Sequence, residues 1–196
     1  MNDLKVRRDA CFGEGSTLFY NEPIHIVRGE GVHLFDAGGR RYVDMYNNVP
    51  SVGHCHPHVV EAVSRQISTL NVHSRYLHEA IVEYAERLLA RHHGGLENIV
   101  FSCTGTEANE VAIMMARAAT GGQGIICTDA AYHGNSTEIR RLTHCRADTG
   151  EVRSIPFPET FRFDRIGTSA DPGDYYLDKL ADVIAGFKRD NIPLAG

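Results

Sequence analysis

No apolar run in the chain approaches the ~18 residues that a membrane span requires, so a membrane partner is not expected. The amino terminus, MNDLKVRRDACFGEG, carries charges but lacks the apolar stretch of a secretory signal, and a cytoplasmic location is the expectation. Basic residues are scattered: pairs such as Arg7-Arg8, Arg40-Arg41 and Arg140-Arg141 stand far apart. No basic patch suited to a phosphate backbone results, which argues against nucleic acid as a partner. The five cysteines, Cys11, Cys55, Cys103, Cys127 and Cys145, are odd in number and form no CxxC pair, which argues for reduced thiols and against a disulfide framework or a zinc ribbon. G-x-x-x-x-G-K-[ST] is missing, and no G-x-G-x-x-G opens a helix, so neither a nucleoside triphosphate nor a nicotinamide dinucleotide is indicated. Lysine is scarce, occurring only at positions 5, 179 and 188. No internal repeat or low-complexity tract is visible.

What is present is ordinary globular material: 196 residues, 42% hydrophobic, with a formal charge of -5, enough apolar content for a core. From Pro23 to Tyr46, short apolar alternations are punctuated by Gly-Glu-Gly and Ala-Gly-Gly, which predicts an antiparallel meander. After Pro57 the apolar period lengthens. Val59, Val60, Val63, Ile67 and Leu70 share one stripe, and Ile81, Tyr84, Ala85 and Leu88 share another on a helix expected from Tyr76 to His92. Strand and helix then alternate: NIVFSC as a buried strand, EANEVAIMMARAAT as a helix, GIICTD as a strand and GNSTEIRRLT as a further helical segment. That order predicts an α/β unit with a parallel sheet. Thr143 to Asp174 reads as an extended surface loop. DYYLDKLADVIAGFKRD reads as a last helix burying Leu177, Leu180, Ala181, Ile184 and Phe187.

The densest chemistry lies in SCTGTEANE. A strand entering a helix at Thr104-Gly105-Thr106 places free backbone amides, the positive end of the helix dipole and two hydroxyls at one point, which is an anion site. Gly105 permits close approach, Thr106 offers a hydroxyl, and Thr104 with Glu107 has the spacing of a capping box. The same residues also suit a helix that is merely well capped. The next crossing, AYHGN, puts Tyr132, His133 and Gly134 just past a strand end, where ligands bind in parallel sheets. Tyr132 suits stacking on a flat phosphorylated ring and also suits simple packing.

In SVGHCHPHVV, residues 51–60, His54, Cys55, His56 and His58 invite a zinc reading. Neighbouring side chains of an extended segment point to opposite faces, and no second cluster supplies further ligands; Arg91-His92-His93 sits at a helix end. The expectation is therefore architectural and without metal. Gly53 permits a tight turn, Pro57 opens the helix, and Val59-Val60 begin a buried stripe.

SCTGTEANE followed by AYHGN resembles the class III aminotransferases, pyridoxal-phosphate enzymes of fold type I, whose S-G-[ST]-E-A and Y-H-G motifs carry the cofactor phosphate and the stacking aromatic. GVHLFDAGGRRYVDMYNNVPSVGHCHPHVVEAV is similar to that family's amino-terminal run from G-x-x-L-x-D-x-x-G-x-x-Y-x-D to G-H-x-H-P. Together these motifs cover nearly all of residues 20–145. Asn47-Asn48-Val49 and Ser74-Arg75-Tyr76-Leu77-His78 most resemble the branch with the ethanolamine-phosphate and phosphohydroxylysine phospho-lyases.

The resemblance implies pyridoxal 5'-phosphate as cofactor, with Gly105 and Thr106 binding phosphate, Tyr132 stacking on the ring, His133 beside it and Asn47 facing a small amine or amino-acid substrate. It also implies a homodimer, with residues 1–70 in the small domain and 71–196 opening the large cofactor-binding domain. Thr104-Gly105 stands where the family usually has Ser-Gly, a change that keeps the hydroxyl. The family's acidic residue on the pyridine nitrogen and its Schiff-base lysine follow the Y-H-G motif, and neither has a counterpart here. The expectation is thus the amino-terminal part of a longer transaminase, inactive alone, with an uncovered sheet edge that leaves it poorly soluble or molten. A phospho-lyase and a non-catalytic protein with a partial cofactor surface are the alternatives.

Overall fold

Turn chemistry and short apolar alternation produce the expected meander. In the computed structural model, which describes residues 2–13, 15–16, 18–47, 50–168 and 171–196, β1 (Ile26–Glu30), β2 (His33–Asp36) and β3 (Arg41–Val43) form one antiparallel sheet in that order. Glu30 pairs with His33 across the two-residue turn Gly31-Val32, and His33 in turn pairs with Val43. The second turn is organised by Asp36, whose Oδ1 accepts the amides of Gly38 and Arg40 while Oδ2 accepts the Tyr42 hydroxyl, each at 2.9 Å. These bonds, led by the Arg40 amide, hold the Asp36 carboxyl below the usual carboxylate range.

Two compact units emerge, residues 1–79 and 80–196. The first also contains α1 (Asn2–Phe12), a helix for which no apolar period was noted, and α2 (Pro57–Thr69). Ion pairs explain part of α1: Lys5 meets Asp9 one turn on, and the Arg8 guanidinium donates to the Ser16 carbonyl and hydroxyl. Pro57 opens α2 as expected. The apolar stripe of α2 corrects expectation, however: Val59, Val60, Val63, Ile67 and Leu70 all stand exposed, from 46% at Val59 to 70% at Ile67. Periodicity was enough to make the helix, while burial requires a facing element that the first unit does not provide among the described residues.

All but the first residue of α3 (Glu79–Leu89) belongs to the second unit; the helix is shorter than expected, with Ala85 and Leu88 half-buried but Ile81 and Tyr84 exposed. NIVFSC is not a strand. Val100 and Phe101 are exposed, and residues 98–103 join no ladder among the described residues; a parallel strand depends on neighbours for its hydrogen bonds, and none lies beside this one. Tyr84 and Phe101 instead stack with ring centroids 5.3 Å apart.

Next come α4 (Gly105–Thr120), β4 (Ile125–Thr128), α5 (Thr137–Arg140), β5 (Val152–Ile155), a 3₁₀ turn (Phe163–Ile166) and α6 (Pro172–Arg189). β4 and β5 pair in parallel, Ile125 with Val152 through Thr128 with Ile155, and Leu194 bridges in parallel to Gly124. The expected loop over 143–174 therefore contains a strand. β5 is anchored at its centre by Arg153, 2% exposed, whose guanidinium reaches Asp190 and the Gly150 carbonyl and lies 4.1 Å from the Phe187 ring. α6 forms as expected and its face holds in part: Phe187 is buried and Leu180 and Ile184 are half-buried, whereas Leu177 and Ala181 are exposed and Tyr176 and Gly186 are inside instead. The pull comes from β5 and its arginine, against which α6 packs. The core joins Ile113, Ile125, Cys127, Ile139, Leu142, Cys145 and Val152. Burial, with Cys145 alongside, pushes the Cys127 thiol up to about 12, so it is a neutral packing group. Among the described residues no helix is long and apolar enough to cross a membrane.

Candidate functional site

The entrance to α4 has the cap that its sequence specifies. Thr104 is extended, its hydroxyl accepts the Glu107 amide at 3.1 Å, and the Glu107 carboxylate turns back to accept the Cys103 amide at 2.7 Å. The amides of Gly105 and Thr106 find no acceptor among the described residues, nor does the Thr106 hydroxyl. Positive dipole, free amides and a free hydroxyl thus coincide at one helix start.

The segment Tyr132-His133-Gly134 meets α4 through Gly134 and the His133 carbonyl. Gly134 has φ +140°, and a Cβ there would come within 2.4 Å of Thr106 Oγ1, so only glycine fits. Asn109, on α4, donates from Nδ2 to the His133 carbonyl at 2.8 Å. Tyr132 is 65% exposed, and its hydroxyl accepts a bond from Asn135 Nδ2 at 2.8 Å. The His133 Nε2 and Ser136 Oγ atoms are buried and have no partner among the described residues. An anion cradle, an exposed ring face and unpartnered polar atoms suit a phosphorylated, flat, heteroatom-bearing ligand.

Gly105, Thr106, Tyr132 and His133 are therefore brought together within the second unit. Asn47 belongs to the first. Its amide and Nδ2 donate to the two Asp44 oxygens, each at 2.9 Å, and it borders a cavity of about 410 Å³ lined by Phe19, Tyr20, Ile24, Met45 and Tyr46. Asp44 also accepts the Tyr46 amide at 3.0 Å and meets His54 Nε2 at 2.6 Å. The Asn47 amide first, and His54 next, hold the Asp44 carboxyl far below the usual carboxylate range. Asn48 and Val49, which share the branch signature with Asn47, lie outside the described residues.

His54 is thus a partner of Asp44, and its backbone bridges to Gly31 through bonds of 2.7 and 3.0 Å. Gly53 makes this approach possible with φ +94°, since a Cβ there would press on the Gly31 backbone at 3.0 Å. Pairing motif carboxylates with motif donors gives the amino-terminal run a physical content: Asp36 takes Tyr42 and Asp44 takes His54. No group of three His, Cys, Asp or Glu side chains is arranged for a metal ion among the described residues. Sequence reading missed Asn109, Asn135, Ser136 and Thr143 around the Tyr132 segment. Nothing local marks Asn109 or Thr143, whose partners in this segment lie 24 and 10 residues away. As for the lysines, Lys5 pairs with Asp9, Lys179 lies 5.5 Å from the Tyr175 ring and Lys188 closes the last turn of α6.

Residues 18–157 match the family model of aminotransferase class III. An alanine–glyoxylate aminotransferase 2-like protein of Drosophila melanogaster is 34% identical over 187 residues, spanning 90% of this chain and 38% of that protein. The mitochondrial alanine–glyoxylate aminotransferase 2 homolog 2 of Arabidopsis thaliana is 44% identical over 84% of this chain and 35% of its own length. Among solved structures, an Arthrobacter phospholyase in complex with phosphoethanolamine superposes with a TM-score of 0.82 at 38% identity, over 96% of this chain and 45% of that one. The chain thus spans little more than a third of the length of these curated relatives.

Proposed function

The chain belongs to the class III aminotransferase family, with the fold type I architecture, and we propose that it forms the amino-terminal part of a pyridoxal-phosphate-dependent transaminase. The enzyme would move an amino group between an amine or amino acid and a 2-oxo acid. The observation that carries this reading is the packing of Gly134 on the Thr106 hydroxyl, which brings the segment bearing the exposed Tyr132 to the start of α4.

When bound, pyridoxal phosphate supplies an aldehyde that condenses with amines and a ring that accepts electrons as a bond to the substrate α-carbon breaks. Gly105 and Thr106 would hold its phosphate through backbone amides and hydroxyl, Tyr132 would cover one ring face, and His133 would offer its unpartnered Nε2 beside the ring. Asn47, held by Asp44, would face the substrate. The resemblance assigns no residue of this chain as the covalent lysine or the acid on the ring nitrogen, and the chain spans only 38% and 35% of two curated relatives, which supports reading it as part of a longer catalytic protein. The proposal extends to a homodimer, to residues 1–70 and 71–196 as small-domain and large-domain segments, and to a cytoplasmic location. The mitochondrial naming of the Arabidopsis relative is the competing address.

A second reading is favoured by the likeness to the Arthrobacter phospholyase: elimination of phosphate from a phosphorylated amine. The full-length gene product decides between them. Keto-acid-dependent amino transfer to 2-oxoglutarate supports the first reading. Release of inorganic phosphate from O-phosphoethanolamine with no keto-acid requirement replaces it with the second.

A further inference from the structure

The segment that presents Tyr132 is gripped from two sides by residues outside the motif. From α4, Asn109 Nδ2 donates to the His133 carbonyl at 2.8 Å. From beyond α5, the Thr143 hydroxyl accepts the His133 amide at 3.1 Å and donates to the Gly134 carbonyl, also at 3.1 Å. One hydroxyl therefore closes a ring across the His133-Gly134 peptide, a task that needs a group both donating and accepting. The Thr143 amide is itself bound to the Arg140 carbonyl at 3.2 Å, so the clamp is fixed to the end of α5. The consequence falls on geometry: the backbone held here is the one whose Gly134 approaches Thr106 Oγ1 and which carries Tyr132 next in sequence.

We infer that Asn109 and Thr143 are positioning residues of the cofactor site, locking the 132–134 segment so that the Tyr132 face and the Thr106 hydroxyl are presented together. The inference rests on the proposed cofactor reading and adds two residues that the family motifs do not contain in that role. Neither touches the ligand; both act through the backbone they hold.

The test titrates the full-length gene product that the proposed function invokes with pyridoxamine phosphate, which lacks an aldehyde and so cannot form a Schiff base with any lysine. Affinity is read by calorimetry, and ring orientation by the circular dichroism induced in the bound pyridine at saturation. Thr143→Val keeps the shape and removes both bonds; Thr143→Ser keeps the hydroxyl; Asn109→Ala removes the other donor. Each lost bond is expected to weaken binding roughly fivefold. Thr143→Val and Asn109→Ala should also diminish the induced signal at full occupancy, while Thr143→Ser restores both readouts. A role confined to stability would lower the unfolding midpoint and leave the saturated signal intact, and that result overturns the inference.

Wild-type binding with unchanged affinity and signal in Thr143→Val and Asn109→Ala overturns the inference alone. Absence of wild-type binding overturns the cofactor reading as well. Should the variants fail to fold, hydrogen exchange of the wild-type His133 amide decides: protection supports the clamp, and exchange at the rate of an open loop overturns it.

Discussion

The two units are held by different means. Every buried hydrophobic residue among those described, from Ile113 to Phe187, lies in the second unit, whereas the first is organised by two carboxylates that collect backbone and side-chain donors. Apolar burial stabilises by area and depends on residues distant in sequence, while the hubs at Asp36 and Asp44 act over at most ten positions. The lesson is that short-range polar grammar can set a local backbone without a core, and leave the same unit's helices with apolar faces uncovered.

The sharpest way to break the comparison is to open the core of the second unit. Phe187, 1% exposed, packs on Arg153 from α6, and Phe187→Ala is expected to cost about 3–5 kcal/mol. Urea unfolding followed by a probe in each unit checks it: the second transition should move to much lower urea. A shift below ~1 kcal/mol would mean the core is looser than the burial implies.

This contrast also explains what the sequence disclosed. The meander, α2, α4 and β4 were legible because turns, a proline at the helix start and a T-x-x-E cap are signals within a few residues. β5 was not, because a strand with Arg153 at its centre reads as polar until Asp190, 37 positions away, and Phe187 are seen to receive it. The helix stripes were legible as helices but not as exposed, since burial is decided by what faces them. At the candidate site, the capped start of α4 and the glycine of AYHGN were legible as chemistry; Asn109 and Thr143 were not, because their partners lie 24 and 10 residues away.

A milder break removes the partner of the buried arginine. Asp190 is half exposed, so solvent offsets part of the loss, and Arg153 keeps its bond to Gly150. Asp190→Asn retains an acceptor but no charge and is expected to destabilise the second unit by about 1–2 kcal/mol, less than Phe187→Ala, in the same urea titration. An effect equal to or larger than the Phe187 change would show that charge pairing rather than apolar packing secures β5.

The hub of the first unit is tested by acid. The Asp44 carboxyl titrates below its ordinary value of 3.8 in the folded chain, so its contribution is fully present above that pH and is lost as pH falls through the lower folded value. Amide signals of Tyr46 and Asn47, followed by NMR, should persist in their folded positions through pH 4 and shift only in stronger acid. Asp44→Asn should shift them already at neutral pH, with faster exchange at both amides. Identical spectra for the variant and the parent would remove Asp44 as the organiser of this loop.

The smallest effect is the most instructive for the comparison. Ile67 on α2 is 70% exposed, so Ile67→Ala removes little buried area, and alanine forms helix more readily than a β-branched residue. The expected change is within about 0.5 kcal/mol in either direction, read by urea unfolding of the first unit at low protein concentration. A loss above ~1.5 kcal/mol would mean that the stripe of Val59, Val63 and Ile67 is covered in solution, since only desolvated methylenes carry that cost. Repeating the measurement over a range of protein concentrations then separates the two ways of covering it. A cost that grows with concentration assigns the cover to a second copy, because association stabilises by mass action. A cost that stays constant assigns it to the same chain, and the contrast between a cored unit and a hydrogen-bonded one would shrink accordingly.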